Sequence, residues 1–301
     1  MRDTECVAFL QWALPRLNMR WPGFRKVRRQ VCKRVARRMK ELGLERVDQY
    51  REILDTESDE WKLLDAACRI TISRFYRDKN VFDILGRDVL PALAEKADEE
   101  SRSVRCWCAG CASGEEAYTL AILSDKVISQ ACSTAKLEIF ATDADPHMIA
   151  RAKDACFSPG SLKDVPSNWL AEAFTTNGLE YCVKPRFRRT VTILLQDIRR
   201  EMPDGPFDLV LCRNLVLTYF ETSLQSKILT AITERLRPEG YLVIGAHETL
   251  PAGEFELEAL DDCHEILRRG SDSKASPHIK DQAGIQSGRA TLDLRQVKHD
   301  D

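Results

Sequence analysis

Two glutamates directly follow a run of small residues in the stretch VRCWCAGCASGEEAYTLAIL, residues 104–123. The stretch opens with a short apolar run that predicts a buried strand, and it ends in an apolar-rich segment that predicts a helix. Strand, small-residue loop and helix is the layout of nucleotide-type sites in open α/β sheets, where ligands bind beyond the carboxyl ends of the strands. Gly110 and Gly114 let the backbone approach a ligand because they lack a Cβ. The stretch therefore predicts a ligand site; the alternative is a tight strand-to-helix turn that holds no ligand.

The charge of this loop indicates the kind of ligand. The loop lacks the Lys-Ser/Thr pair of a P-loop, and Glu115 and Glu116 would repel phosphates. An acidic loop suits a cationic or amine-bearing ligand, and S-adenosylmethionine is both. Asp143 supports this prediction because it follows the second predicted strand, 137–142, where dinucleotide-type folds hold a ribose diol. Its alternative role is to cap the helix that begins at Pro146.

Length, composition and charge are those of a soluble globular protein. The chain has 301 residues, of which 44% are hydrophobic and 31% are charged, and its net charge is −2. No apolar run approaches the roughly 20 residues that span a bilayer, and the N-terminus has no small-residue cleavage site. We therefore expect a cytoplasmic protein without membrane insertion. The near-neutral charge also argues against general binding of nucleic acid.

The eleven cysteines are odd in number and follow no framework spacing. They are predicted to be small buried hydrophobic residues of a reducing compartment. Cys106, Cys108 and Cys111 form a C-x-C-x-x-C pattern that raises a metal site as the alternative. No fourth ligand is evident nearby, so no metal is predicted.

The order of elements predicts three parts of the chain. Residues 1–78 have helical periodicity, whereas strands and helices alternate through residues 79–269. The run FDLVLC, 207–212, is continuously apolar and suits a strand of a sheet covered on both faces. Residues 270–301 are polar with almost no apolar pattern, and we expect them to be disordered.

One predicted helix of the N-terminal part carries more cations than solubility requires. Its nine cations are Arg25, Lys26, Arg28, Arg29, Lys33, Arg34, Arg37, Arg38 and Lys40. This basic helix, 25–40, predicts a docking face for an acidic or helical protein acceptor. The alternatives are a solvated face and, less favoured, a surface that holds nucleic acid through its phosphates.

Four blocks, in order along the chain, resemble one family. They are ITISRFYRD (70–78), CWCAGCASGEEAYTLAI (106–122), ATDADPHMIARA (141–152) and FDLVLCRNLVLTYF (207–220), and LRPEGYLVIGAHETLP (236–251) adds a closing strand. The resemblance is to the CheR-type S-adenosylmethionine-dependent methyltransferases, which methylate glutamates on bacterial chemoreceptors. It covers roughly residues 8–268.

The resemblance implies a fold and a set of site residues. The fold is a doubly wound class I methyltransferase α/β sheet, with a helical N-terminal domain and a small antiparallel insert placed at 179–195. Arg77 would lie near the cofactor and the acceptor carboxylate, and Tyr219 would face the sulfonium. The other implied cofactor-binding residues are Thr71 and Ser73 in the same loop as Arg77, Glu116, Asp143 at the ribose, Asp197 and Ile198 at the adenine, and Arg213 and Asn214 over the methionine part.

The implied reaction is transfer of a methyl group from S-adenosylmethionine to glutamate carboxylates of a chemoreceptor-like protein. Arg77 would orient the acceptor carboxylate with two donors. The alternative for Arg77 is an ordinary ion pair at the surface, and the alternative for Tyr219 is an aromatic residue of the core. The block at 70–78, which would contact the substrate, and the closing GAHET depart from the family pattern. The blocks that would bind the cofactor depart from it less. Another protein or small-molecule acceptor is therefore an alternative, as is a non-catalytic adaptor that binds the cofactor. Arg77, Asn214 and Tyr219 together favour the enzyme.

Overall fold

The strands with continuous apolar runs form the centre of a seven-stranded sheet. The computed structural model describes residues 2–130 and 134–271. Its strands are β1 Val104–Ala109, β2 Leu137–Asp143, β3 Cys156–Phe157, β4 Phe174–Asn177, β5 Glu180–Val183, β6 Val191–Leu195, β7 Phe207–Leu211, β8 Leu236–Val243, β9 Leu257–Leu260 and β10 Cys263–Arg269. The main sheet has the order β6-β2-β1-β7-β8-β10-β9. Strands β6, β2, β1, β7 and β8 are parallel, and β10 and β9 complete the sheet antiparallel.

Helices cover both faces of this sheet. They are α1 Asp3–Ala13, α2 Trp21–Phe24, α3 Arg28–Glu41, α4 Val47–Thr56, α5 Ser58–Cys68, α6 Lys79–Ile84, α7 Leu90–Glu99, α8 Glu115–Gln130, α9 Pro146–Asp154, α10 Ser167–Ala173, α11 Pro185–Arg188, α12 Val216–Tyr219 and α13 Thr222–Arg235. Alternate residues of a strand point to opposite faces. Accordingly Cys106 and Cys108 belong to one hydrophobic core, and Trp107 and Ala109 belong to the other. The predicted doubly wound α/β fold is confirmed.

The N-terminal helices pack on one face of the sheet and share its core. Phe9 of α1 and Val31 of α3 belong to the same buried cluster as Trp107 of β1. The helical region is therefore stabilised by burial against the sheet as well as within itself. The division of the chain at residue 78 stays a prediction, and from residue 272 onward the expected disordered tail lies outside the described residues.

The small antiparallel insert is present, but its bounds differ from the expected 179–195. It is a three-stranded sheet of order β3-β5-β4, which lies within residues 156–183. The expected second strand, β6, instead pairs in parallel with β2 at the edge of the main sheet. The reason is local, because Pro185 begins the helix α11 rather than closing a tight hairpin. That helix carries the chain from the insert back to the main sheet.

Two pairs of cysteines are disulfides, which corrects the expectation that all are thiols. Cys6–Cys32 joins α1 to α3, and Cys156–Cys182 joins β3 to β5, where the two residues are directly opposite. The residues of each pair are far apart in sequence, so only the fold reveals the pairing. The free cysteines of the described residues are all buried: Cys68, Cys106, Cys108, Cys111, Cys212 and Cys263.

Two further findings concern the described residues only. They contain no group of three or more His, Cys, Asp or Glu side chains placed to hold a metal ion. They also contain no helix that is both long enough and apolar enough to cross a bilayer.

Candidate functional site

Two adjoining cavities lie at the carboxyl ends of the parallel strands. The space within them, open solvent included, is about 630 Å³ and 860 Å³, and both are lined by Gly110, Asp143, Leu215 and Tyr219. The predicted site residues Thr71, Asp143, Asp197, Ile198 and Tyr219 line the first cavity, and Ser73, Arg77, Glu116, Asp143, Arg213, Asn214 and Tyr219 line the second. The fold therefore brings all ten together, while their individual roles stay predictions.

The small-residue loop after β1 is held by the neighbouring strand. The backbone N–H groups of Gly110 and Cys111 both donate to the carbonyl of Thr142, at 2.8 and 2.9 Å. Gly110 has φ +75°, and a Cβ added there would lie 2.6 Å from Cδ2 of Leu215. A side chain at this position would therefore strain the backbone and push into the cavity wall.

Asp143 ends β2 with both carboxylate oxygens engaged by backbone. Its Oδ2 accepts from Ala112 N at 2.9 Å, and its Oδ1 accepts from Asp145 N at 2.8 Å. Burial raises the pKa of Asp143, against the lowering effect of these two hydrogen bonds. A carboxylate has about four lone-pair sites, so acceptor capacity remains for a ligand. The helix-cap alternative is wrong, because Asp145 caps α9 by accepting from His147 N and Met148 N.

A buried arginine joins two acidic residues on the wall of the second cavity. Arg213 donates from Nη1 to Glu116 Oε2 at 2.9 Å and from Nη2 to Asp78. Its side chain is only 3% exposed, and its Nε has no hydrogen-bond partner among the residues that the structure describes. Burial raises the pKa of Glu116, and the charge of Arg213 opposes that rise. The sequence reasoning missed Asp78, although it belongs to the ITISRFYRD block.

Arg77 lies in the loop before α6 with part of its guanidinium open. Its Nη1 donates to the carbonyl of Ile72 at 3.1 Å, and its Nε is 3.9 Å from Asp78 Oδ2. The side chain is 34% exposed. Arg77 is thus anchored at one nitrogen while other donors remain available at the second cavity. Orientation of an acceptor carboxylate is a prediction that this geometry permits.

The predicted adenine residues are fixed by an arginine that the sequence reasoning missed. Arg199 binds Asp197 and also binds Asp65 of α5 with two nitrogens, at 2.6 and 2.9 Å. Burial acts to raise the pKa of Asp197, but the hydrogen bonds and charge of Arg199 outweigh it and lower the pKa. Ile198 is buried beside them. No sequence signal pairs Arg199 with Asp65, because the two are distant in the chain.

Tyr219 lies at the boundary between the two cavities, at the end of α12, which the loop after β7 leads into. Burial raises its pKa, so the phenol stays protonated at neutral pH. The start of this loop is held by Glu248, whose carboxylate accepts from Asn214 N at 2.9 Å and from Gly245 N at 2.7 Å. The same carboxylate accepts from the hydroxyl of Thr218. Glu248 of the GAHET block is therefore a structural support of the site.

Residues 71–263 match the family model described as "CheR methyltransferase, SAM binding domain". The chain is 33% identical to an uncharacterized 104.1 kDa protein in the hypE 3' region of Rhodobacter capsulatus, over 85% of this chain and 26% of that protein. It is 31% identical to a chemotaxis protein methyltransferase of Listeria monocytogenes, over 60% of this chain and 66% of the relative. The chemotaxis protein methyltransferase of Salmonella typhimurium is 29% identical over 73% of this chain and 76% of its own length. The chain thus spans about a quarter of the first relative and just under two thirds of the second.

Proposed function

The chain belongs to the CheR methyltransferase family, and we propose that it transfers the methyl group of S-adenosylmethionine to glutamate carboxylates of a protein acceptor. Relatives named chemotaxis protein methyltransferases support a chemoreceptor-like acceptor. The observation that carries the proposal is the shared wall of the two cavities. Asp143 and Tyr219 line both, so one extended ligand can reach from the first cavity to the mouth of the second.

The residues present fit the cofactor at both of its ends. Ile198 and Phe24 give the first cavity an apolar wall suited to a purine, and Asp143 retains lone pairs for ribose hydroxyls. Glu116 supplies an acidic group in the second cavity, where it suits an ammonium. When bound, S-adenosylmethionine supplies an electrophilic methyl group on a positively charged sulfur. Gly110 lines both cavities, and a Cβ there would lie 2.6 Å from Cδ2 of Leu215.

In the proposed reaction, the acceptor carboxylate has to be positioned, and no proton has to be removed from it. A glutamate side chain is already ionised at neutral pH, so no general base is required. The open donors of Arg77 orient that carboxylate, and the protonated phenol of Tyr219 lies at the boundary where the acceptor and the cofactor meet. Alignment of the reacting atoms is then the main catalytic contribution.

The basic helix supports a protein acceptor, with fewer free cations than the sequence suggested. Arg28 pairs with Asp3, Arg38 pairs with Glu60, and Arg34 donates to backbone carbonyls. Arg37 is exposed but lies 3.9 Å from Glu41, from Nε to Oε1. We define the basic surface by the exposed cations that remain, which are Arg25, Lys26, Arg29, Lys33 and Lys40. Val27, immediately before α3, lines the second cavity. An acidic protein docked on the basic surface would thus present its carboxylates near the proposed methyl-transfer end.

We propose the cytoplasm as the location. Among the described residues, the six free cysteines support a reducing compartment, whereas the two disulfides oppose it. Fractionation of cells tests this, and the proposal expects the protein in the cytoplasmic fraction.

The function is tested with S-adenosylmethionine labelled in its methyl group and a purified chemoreceptor signalling domain as the acceptor. We expect label on the receptor that is released as methanol in mild base, because carboxylate methyl esters hydrolyse readily. Label that is stable in base would exclude a carboxylate acceptor. Tight cofactor binding without any transfer would instead favour the adaptor alternative.

A further inference from the structure

Tyr219 lies at the end of a helix that is too short to hold its own geometry. The four residues of α12 make one turn, and forming a single turn is the unfavourable step of helix formation. The last carbonyls of any helix also lack partners within it. The orientation of Tyr219 therefore depends on groups outside α12.

One residue from the N-terminal helical region supplies most of those partners. The backbone N–H of Arg20 donates to the carbonyl of Tyr219 at 2.9 Å. Its guanidinium donates through Nε to the carbonyl of Thr218 at 3.2 Å and through Nη2 to that of Leu217. Three successive carbonyls at the end of α12 are thus capped by Arg20, about 200 residues earlier in the chain.

The same segment contacts the backbone and the ring of Tyr219. A Cβ added at Gly23 would lie 2.2 Å from the carbonyl oxygen of Thr218 and 3.2 Å from Cδ1 of Tyr219. The buried ring of Phe24 has its centroid 5.1 Å from that of Tyr219. Gly23 is therefore required by this close approach and not by a left-handed backbone. Neither Arg20 nor Gly23 is among the residues that line the two cavities.

We propose that Arg20 and Gly23 are positioning residues that set the place of Tyr219 at the methyl-transfer end of the site. Because they do not line either cavity, they act through α12. The expected effect on turnover rests on the proposed function. The position of the Tyr219 ring does not, because it can be measured without any enzyme activity. A change in the N-terminal helices would then alter catalysis while leaving Asp143 and its loop in place.

The first test reads the ring directly. The six tyrosines are replaced by 3-fluorotyrosine, and the fluorine resonance of Tyr219 is assigned by its loss in Tyr219→Phe. We expect Gly23→Ala and Arg20→Ala to shift or broaden that resonance and to leave the others in place. Gly160→Ala is the matched control, because the nearest atom to a Cβ there is Ser158 Oγ at 3.8 Å. A Tyr219 resonance that is unchanged in both variants would overturn the proposal.

The second test separates positioning from folding by kinetics. Turnover is divided by the number of S-adenosylhomocysteine sites found by calorimetry, so that misfolded protein is not counted. We expect Gly23→Ala to lower kcat about a hundredfold, because misplacement by about 1 Å has an effect of that size. The dissociation constant of S-adenosylhomocysteine should change much less, and Arg20→Lys should recover part of the kcat lost in Arg20→Ala.

The outcomes distinguish this inference from the proposed function. A shifted Tyr219 resonance with no methyl transfer in the wild type leaves the positioning role intact and rejects the function. Equal losses of kcat per site and of cofactor affinity would show a general structural role and reject the positioning role. If Gly23→Ala fails to fold, Arg20→Lys and Arg20→Ala decide the result, since both retain the backbone donor to Tyr219.

Discussion

The loops that follow β1 and β7 occupy neighbouring strand ends, but they are held in place differently. The loop after β1 is fixed by the adjacent strand through Thr142 and Asp143, and it leads into the 16-residue helix α8. The loop after β7 leads into the single turn of α12, and its partners, Arg20 and Glu248, come from opposite ends of the described chain. The proposed cofactor end is therefore held by the neighbouring strand, whereas the proposed acceptor end depends on contacts that are distant in sequence.

This difference has a consequence for how substitutions act. Around the β1 loop, a change should affect cofactor affinity mainly when it touches the loop or the end of β2. Around the β7 loop, changes far from the cavities should alter turnover through the geometry of α12. Arg213 is the point where the two loops meet, since it starts the β7 loop and binds Glu116 of α8.

Arg213→Met should have the largest effect, because it breaks this junction. The substitution keeps most of the side-chain volume and leaves the carboxylates of Glu116 and Asp78 without their buried partner. Removing one member of a buried ion pair destabilises a protein by about 3–5 kcal/mol. We expect a loss of about 3 kcal/mol in urea unfolding, at the lower end of that range, because Asp78 is 29% exposed.

The pH dependence of that loss tests its cause. Burial already raises the pKa of Glu116, and loss of the Arg213 charge should raise it further. A carboxyl with a raised pKa in the folded state favours folding as pH falls, since its protonation relieves the unpaired charge. The deficit of Arg213→Met should therefore shrink from about pH 8 to about pH 5. It should also be smaller in Glu116→Gln, and a constant deficit in both cases would contradict the ion-pair explanation.

Asp143→Ala should have the next largest effect, on cofactor affinity. A hydrogen bond to a charged group contributes about 1.5–3 kcal/mol, so the affinity for S-adenosylhomocysteine should fall by about tenfold to a hundredfold in calorimetry. Asp145→Ala is the matched control, because this nearby carboxylate caps α9 and does not line either cavity. It should cost about 1 kcal/mol of stability and leave affinity unchanged. Equal affinity in Asp143→Ala and the wild type would reject the ribose assignment.

The same contrast explains what the sequence could and could not predict. The strand, small-residue loop and helix around Gly110, and the acidic end of β2, are contiguous patterns whose geometry follows from parallel strands ending at one edge. The pair of Arg199 with Asp65 and the capping of α12 by Arg20 join segments with no shared pattern. The bounds predicted for the antiparallel insert, 179–195, are wrong for a related reason. Pro185 begins a helix because the chain returns there from the insert to the main sheet, and no local pattern indicates that return.

Arg77→Ala tests the acceptor end with a smaller effect. Loss of a charge-assisted hydrogen bond to the acceptor carboxylate should lower kcat/KM for the acceptor about tenfold, while the affinity for S-adenosylhomocysteine stays nearly constant. Arg77→Lys keeps the charge without the fork of donors and should lie between the two. If Arg77→Ala loses cofactor affinity and keeps its turnover at saturating cofactor, Arg77 belongs to the cofactor end instead.

The basic surface should give the smallest effect, confined to the KM for the protein acceptor. Arg29→Glu, Lys33→Glu and Lys40→Glu together reverse exposed cations of α3 and spare Arg28, whose pair with Asp3 links α3 to α1. Exposed ion pairs contribute about 0.2–1 kcal/mol each and are weakened by salt, so three pairs near the lower end of that range should raise KM by roughly threefold to tenfold. Since such attraction is screened within about 8 Å at physiological salt, added salt should raise the wild-type KM and reduce the difference in KM between the wild type and the triple variant.

A second triple variant is the control for this prediction. Arg151→Glu, Lys163→Glu and Lys227→Glu together reverse exposed cations elsewhere on the protein and should leave the KM for the protein acceptor unchanged. With a short peptide as the acceptor, neither triple variant should change KM. Tight binding of duplex or single-stranded oligonucleotides at moderate salt, with no salt effect on methylation of the protein acceptor, would assign the basic surface to nucleic acid instead.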